Sequence, residues 1–199
     1  MAEAERRREE ILKSAPEAVR ARAAACARKG KAFQILAADW YMRQTAAEEG
    51  LGEAERIRVG HEGSGKPFLL SGGIRVERCV SISHCDGYLY LCLAEGPIGC
   101  DVEMIRRIPV NGGLKGFFSE ADLAAIREAE QPEEQLIRIW TRREAYAKLT
   151  GITEGLRTRS FHDREEARRV YGVRFTEGRA DGALHTVAQY ENAEHENAD

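Results

Sequence analysis

The sharpest local pattern in the chain is Gly99-Cys100-Asp101-Val102-Glu103. Side chains alternate across a strand, so Asp101 and Glu103 point to one face while Cys100, Val102 and Met104 take the other and enter the core. Two neighbouring carboxylates raise each other's pKa unless a cation offsets them. Magnesium suits such a pair, because it binds one or two carboxylates and fills its remaining positions with waters and substrate phosphates. A solvent-facing edge strand with ordinary acids carries the same pattern, so the pair alone does not decide.

A second pattern lies on a helix. Leu136, Trp140, Glu144 and Lys148 are each four residues apart and form one line along it. Leu136, Ile139, Trp140 and Ala147 supply the apolar stripe, which puts Glu144 at its boundary. A partly buried glutamate suits a metal ligand or a general base, and Lys148, one turn on, can face a phosphate. A surface Glu–Lys pair, worth about 0.3–0.5 kcal/mol, has the same spacing. The third pattern is Ser81-Ile82-Ser83-His84-Cys85-Asp86-Gly87, where Ser83 and His84 stand at a strand end. Hydroxyl, imidazole and backbone N–H donors suit phosphate oxygens; a hairpin with a surface histidine fits equally.

Other chemistries fall away. Cys85 and His84 are adjacent and cannot easily align thiol and imidazole for nucleophilic catalysis. His61, His84, Cys79 and Cys85 lack zinc-ligand spacing. Gly65-Lys66-Pro67 is a rigid turn with one cation, not a phosphate loop of the Gly-x-x-x-x-Gly-Lys-Ser/Thr type.

The elements that position these residues read as follows. Helices are predicted near 4–13, 16–29 and 32–49, with Pro16 as a helix start and Gly30 as a break. Residues 53–75 read as glycine-rich loop. Strands are predicted at 76–83, 88–94 and 98–104, the first two joined by Asp86-Gly87. Ser119 reads as an N-cap with Asp122 as capping-box partner, and a helix covers about 133–149, stopping at Gly151. Two more strands follow at 170–176 and 183–190, with Gly178 and Gly182 between them. Helices beside short antiparallel strands predict an α+β fold.

The bulk properties bound the function. The 199 residues carry a net charge of −3, which argues against nucleic acid as the main partner. No apolar run approaches the roughly 20 residues of a membrane span. The charged start Met1–Glu10 has no apolar stretch behind its arginines, so no secretory leader is expected. The five cysteines form no Cys-x-x-Cys pair, which fits a reducing cytoplasm.

In this order, the pieces resemble the 4′-phosphopantetheinyl transferase superfamily in its single-chain, synthetase-activating form. That family carries a Gly-Lys-Pro turn, Asn-x-Ser-His, Gly-x-Asp-x-Glu, Phe-Ser/Thr-x-x-Glu and Trp-x-x-Lys-Glu-Ala-x-x-Lys. The counterparts here are Gly65-Lys66-Pro67, Ser81–His84, Gly99–Glu103, Phe118–Asp122 and Trp140–Lys148, within about residues 16–190. The resemblance implies two similar lobes related by a pseudo-twofold, each a small mainly antiparallel sheet packed with helices. They would cover 1–97 and 98–190, with a disordered tail over 191–199. It implies Mg²⁺ held by Asp101, Glu103 and Glu144, coenzyme A as co-substrate, Glu144 as the base and Lys148 on the phosphate under attack. Ser83 and His84 would hold nucleotide phosphates, Lys66 and Pro67 would lie along the adenine, and Arg20, Arg22 and Lys29 would meet the 3′-phosphate.

The resemblance further implies transfer of phosphopantetheine to a serine of an acyl or peptidyl carrier protein, with release of adenosine 3′,5′-bisphosphate, by a cytoplasmic monomer. Basic and apolar residues from Met104 to Val110, with Arg106 and Arg107 foremost, suit docking of the carrier's acidic helix. Four departures stand out: Arg143 for Lys, Asp122 for Glu, Ser81 for Asn, and Gln34 where an arginine usually reaches the 3′-phosphate. The usual first strand is also replaced by a charged helix. A metal-dependent nucleotide or pyrophosphate hydrolase, and a non-catalytic coenzyme A or carrier-binding module, are the alternatives.

Overall fold

The computed structural model describes residues 2–27, 29–108 and 112–191. Four helices come first: α1 (Ala2–Arg6), α2 (Arg8–Ser14), α3 (Glu17–Ala24) and α4 (Lys29–Glu48). Pro16 stands immediately before α3, as its position predicts. The break expected at Gly30 falls earlier, after Ala24, and Gly30 lies in the first turn of α4. A helical glycine costs only about 1 kcal/mol against alanine. Phe33, Leu36, Ala37 and Trp40 of α4 offset it by packing on Ile11 and Val19.

The stretch 53–75, expected as loop, contains three short antiparallel strands: β1 (Ile57–His61), β2 (Pro67–Ser71) and β3 (Ile74–Arg75). Gly63, Gly65, Gly72 and Gly73 serve the turns between them, Gly72 and Gly73 both taking positive φ, while Gly60 lies within β1. A hairpin follows, β4 (Cys79–Cys85) and β5 (Tyr88–Ala94). Cys85 pairs with Tyr88, so Asp86-Gly87 is its two-residue turn, as predicted.

The third sheet has the order β6-β8-β7, all antiparallel, from β6 (Ile98–Met104), β7 (Val173–Ala180) and β8 (Ala183–Tyr190). Its hairpin turn is Asp181-Gly182, because Ala180 pairs with Ala183; Gly178 lies inside β7. Between β6 and β7 run α5 (Glu120–Glu128), α6 (Pro132–Thr150) and α7 (Arg164–Tyr171). Helix α7 replaces the start of the strand expected at 170–176. Asp163 caps it by accepting from the N–H groups of Glu165 and Glu166, and Gly172 closes it in the left-handed region.

Three apolar clusters hold the molecule. Helices α1–α4 share one, and the end of α4 shares a second with β1, β2, β4 and β5. The largest lies between α5, α6, α7 and the β6-β8-β7 sheet, around Phe161, Ile137, Ile139 and Val173. Strands β4 and β6 are tied where the Cys100 N–H donates to Ser81 Oγ at 2.9 Å. The fold is therefore α+β with small antiparallel sheets, as predicted. Among the described residues no helix is long and apolar enough to cross a membrane. Of the tail expected to be disordered, 192–199 lie outside the described residues.

Candidate active site

Helix α6 is set by its ends: Pro132 opens it and Gly151, with φ 75°, closes it in the left-handed region. It lies across β6 at Gly99, where a Cβ would fall 2.1 Å from the Ala145 carbonyl oxygen and 2.4 Å from the Leu149 nitrogen. Only glycine permits this approach. Gly99, Asp101 and Glu103 share a strand face, so the crossing brings the helix line Glu144–Lys148 over the acids. Cys100 and Val102, on the opposite face, are buried as predicted, while Met104 is only half-buried.

Asp101 is the centre of the arrangement. It is 4 % exposed. Its Oδ1 accepts from Ser83 Oγ at 2.6 Å and from Lys148 Nζ at 2.8 Å. Its Oδ2 is buried and has no hydrogen-bond partner. An orphaned carboxylate oxygen beside an ammonium is costly unless a further cation or donor meets it.

Burial raises the pKa of Glu144, and the charge of Asp101 raises it further, while Lys148 and Arg143 oppose the shift. Glu103 is raised by burial, then by Asp101 and Glu144, against Arg106 and Lys148. The three acids therefore share one local field. Among the described residues no three His, Cys, Asp or Glu side chains are gathered closely enough to enclose a metal ion alone. Magnesium does not need such a cage, since waters and phosphates complete its shell. The free Asp101 oxygen and the charge shared by Glu103 and Glu144 are what such an ion would meet.

Glu144 and Glu103 bear on stability with a definite sign. A carboxylate with a raised folded pKa favours the folded state below its ordinary value, near 4.5, and loses that contribution as pH rises through the folded pKa. Glu144→Gln should therefore raise the melting temperature at neutral pH, and the gain should shrink as pH falls toward 4.5. Thermal melts of the metal-free protein at both pH values check this.

Glu144 and Lys148 open onto a groove of about 310 Å³. Its far wall is the turn Gly65-Lys66-Pro67 with His61, and its floor is Val80–Ile82 of β4. Lys66 Nζ donates to the Leu149 carbonyl at 3.5 Å, docking the turn on the end of α6. His84 stands exposed at the end of β4. The surrounding protein still takes part of its hydration away, which lowers its pKa, and the charges of Lys31 and Lys148 lower it further. The charges of Lys31 and Lys148 thus both bear on His84, a setting for polyanion oxygens. Lys31, exposed in the first turn of α4, had no signal in the sequence to mark it.

The expected basic residues of the early helices divide. Arg22 reaches His61 Nδ1 at 3.1 Å and so stands at the groove rim. Arg20 donates to the Ala15 carbonyl of its own helix entrance. The Lys29 side chain lies outside the described residues.

The sequence profile of the 4′-phosphopantetheinyl transferase superfamily matches residues 97–197, which takes in β6, α6 and the sheet they rest on. The chain belongs to this superfamily. It is similar to the 4′-phosphopantetheinyl transferase AcpT of Salmonella typhimurium and to that of Salmonella typhi, each 33 % identical over 122 residues. The match covers 59 % of this chain and 60 % of each relative.

Two departures from the superfamily pattern now have a physical account. Asp122 is 1 % exposed. Its Oδ1 accepts from Ser160 Oγ, the Phe161 N–H and the His162 N–H at 3.0, 2.8 and 2.9 Å, pinning 160–162 to α5. Asp122→Ala should cost about 3 kcal/mol by stranding buried N–H donors, while turnover per folded molecule holds. Denaturant midpoints alongside kcat separate the two. Arg143 lies over the Trp140 and Phe118 rings at 5.5 and 6.0 Å, with Nε and Nη1 buried and unpartnered. Burial lowers its pKa while Glu144 opposes the shift, so it acts as a stacked cation behind Glu144.

Proposed function

We propose that this chain transfers the 4′-phosphopantetheine group of coenzyme A to a serine of an acyl or peptidyl carrier protein, releasing adenosine 3′,5′-bisphosphate. One observation carries the reading. Asp101 holds Lys148 and Ser83 on one oxygen and leaves the other open, beside Glu144, at the head of a groove walled by the Gly65-Lys66-Pro67 turn.

In this reading Lys148 places its ammonium on an oxygen of the phosphoryl group under attack. Glu144 accepts the proton of the carrier serine at its carboxylate, a task helped by a raised pKa. Ser83 steadies Asp101 and shares the nucleotide phosphates with His84 and Lys31. Lys66 and Pro67 support the adenine, and Arg22 and His61 face the 3′-phosphate, where Gln34 supplies no charge. Asp101, Glu103 and Glu144 would hold a Mg²⁺ whose shell waters and phosphates complete, and the ion would supply positive charge to the pyrophosphate oxygens.

The groove then lies between two lobes, 1–97 and 98–190, of a monomer working in the cytoplasm. The carrier's acidic helix docks at Arg106 and Arg107, both exposed beyond β6. Pro109 and Val110 of that expected patch lie outside the described residues. Arg106→Glu with Arg107→Glu should raise the KM for carrier about tenfold or more through like-charge repulsion, and leave the KM for coenzyme A alone. Steady-state kinetics with each substrate varied in turn reads both.

The deciding experiment incubates the protein with coenzyme A, Mg²⁺ and several apo carrier proteins, and weighs the carriers by mass spectrometry. A carrier gaining the phosphopantetheine mass supports transfer. Breakdown of coenzyme A without carrier gain would instead mark a hydrolase, and binding without either a non-catalytic module.

A further inference from the structure

Four arginines that the proposed chemistry does not use surround a cavity of about 420 Å³. Arg138 and Arg142 come from α6, Arg164 opens α7, and Arg179 lies on β7. The cavity shares no lining residue with the groove of Glu144 and Lys148. Its floor is rigid. Arg142, 4 % exposed, holds both oxygens of Glu177 through Nε and Nη2. Its Nη1 donates to the Phe161 and His162 carbonyls at 2.8 and 2.7 Å. Arg138 donates to Glu177 at 3.1 Å and to Glu134 at 2.8 Å.

This network does not exhaust the charge. Two carboxylates, Glu134 and Glu177, meet four guanidinium groups, which leaves two positive charges over. Arg179 gives one donor to Glu134 at 3.0 Å and is otherwise exposed. The Arg164 guanidinium is exposed and has no hydrogen-bond or ion-pair partner among the described residues. Asp163, its neighbour in the chain, is occupied with the N–H groups of Glu165 and Glu166. Burial pushes the pKa of Glu177 up, but Arg142 and Arg138 outweigh it and hold the carboxyl below its ordinary value. The field at the cavity is therefore positive, and arginine cannot shed its proton to relieve it.

We infer that this cavity is an anion site, separate from the groove, that takes a phosphate dianion, free or carried on a small ester. Arg164 and Arg179 have the unused donors that bind it, and Arg138 and Arg142 supply fixed charge beneath. A guanidinium offers paired N–H groups in a plane, which match two oxygens of a phosphate. A dianion balances the two charges left over, and the cavity has the volume of a small-molecule site. Nothing in this assignment depends on the transferase reading.

The test follows the assigned amide NMR spectrum of the full chain as sodium phosphate replaces sodium chloride at constant ionic strength. The amides of Arg164 and of 177–180 should shift together and saturate with one Kd. In Arg164→Gln that Kd should rise about tenfold, the loss of one charge-assisted hydrogen bond, while any shifts around Ser83, His84 and Lys148 keep their own Kd. A parallel titration with glycerol 3-phosphate separates the two sources: tighter binding assigns the site to an ester, equal or weaker binding to the free ion. Shifts confined to the groove, shifts at the arginines that never saturate, or an unchanged Kd in Arg164→Gln overturn the inference. Should Arg164→Gln not fold, Arg179→Gln, whose side chain is 57 % exposed, must show the same rise.

Discussion

Asp101→Ala should slow carrier modification about 10²–10³-fold, the loss seen when a preorganised electrostatic group is removed. Glu144→Ala should slow it about 10²–10⁴-fold, as expected for a lost general base. The two variants should fail differently. Alanine at 101 removes the acceptor shared by Ser83 Oγ and Lys148 Nζ and the open oxygen beside them. Lys148 is then free to swing, and the site loses its most buried carboxylate. The KM for Mg²⁺ should rise, and added Mg²⁺ should restore part of the rate. Alanine at 144 leaves the Asp101 contacts to Ser83 and Lys148 in place but removes the proposed proton acceptor and one of the proposed metal ligands. Its pH–rate profile should lose the acid limb that the raised Glu144 pKa creates, and more Mg²⁺ should restore less. The double variant should be little worse than the poorer single, because groups acting as a unit are not additive. Wild-type rates in both single variants, with the chain folded, would remove these acids from the chemistry.

How far this centre was legible depends on the range of the forces involved. The boundaries of β5 and β6 follow from local signals: alternating apolar residues, Asp86-Gly87 on one side and Pro97 on the other. Helix α6 follows from its apolar stripe and from Gly151 at its end. Spacing of four placed Glu144 and Lys148 on one line, and the structure brings that line to Asp101. Strands β1 to β3 read as loop because runs of two to five residues between glycines carry too little pattern; pairing with one another makes them strands. Helix α7 escaped because its sequence Arg164–Tyr171 is mostly charged, and Asp163 does the work of starting it. Asp122 reads from the sequence as a capping-box partner and a departure from the family's Glu. Its three donors come from residues 38 to 40 positions away, which local pattern does not encode.

Gly99 is the residue on which the geometry of the whole site turns, and Gly99→Ala should be the most damaging conservative change in the chain. A methyl there would lie 2.1 Å from the Ala145 carbonyl oxygen and 2.4 Å from the Leu149 nitrogen. Both are helix backbone, which cannot rotate aside as a side chain would. Helix α6 must lift from β6, and overpacking of this kind costs about 3 kcal/mol, the upper end of its usual range. The stability loss is the smaller effect. Ala145 lies next to Glu144 and three residues before Lys148, so any lift carries both away from Asp101 while Asp101 and Glu103 stay with the strand. An error near 1 Å between reacting groups costs about 10²-fold in rate. Gly99→Ala should therefore lose turnover well beyond its unfolded fraction. Val102→Ala gives the contrast. Val102 is 2 % exposed on the opposite face of the same strand, so truncation leaves a cavity and loses stability without pushing the helix. Its folded fraction should turn over at the wild-type rate. Equal turnover per folded molecule in the two variants would show that the strand–helix approach does not set the catalytic geometry.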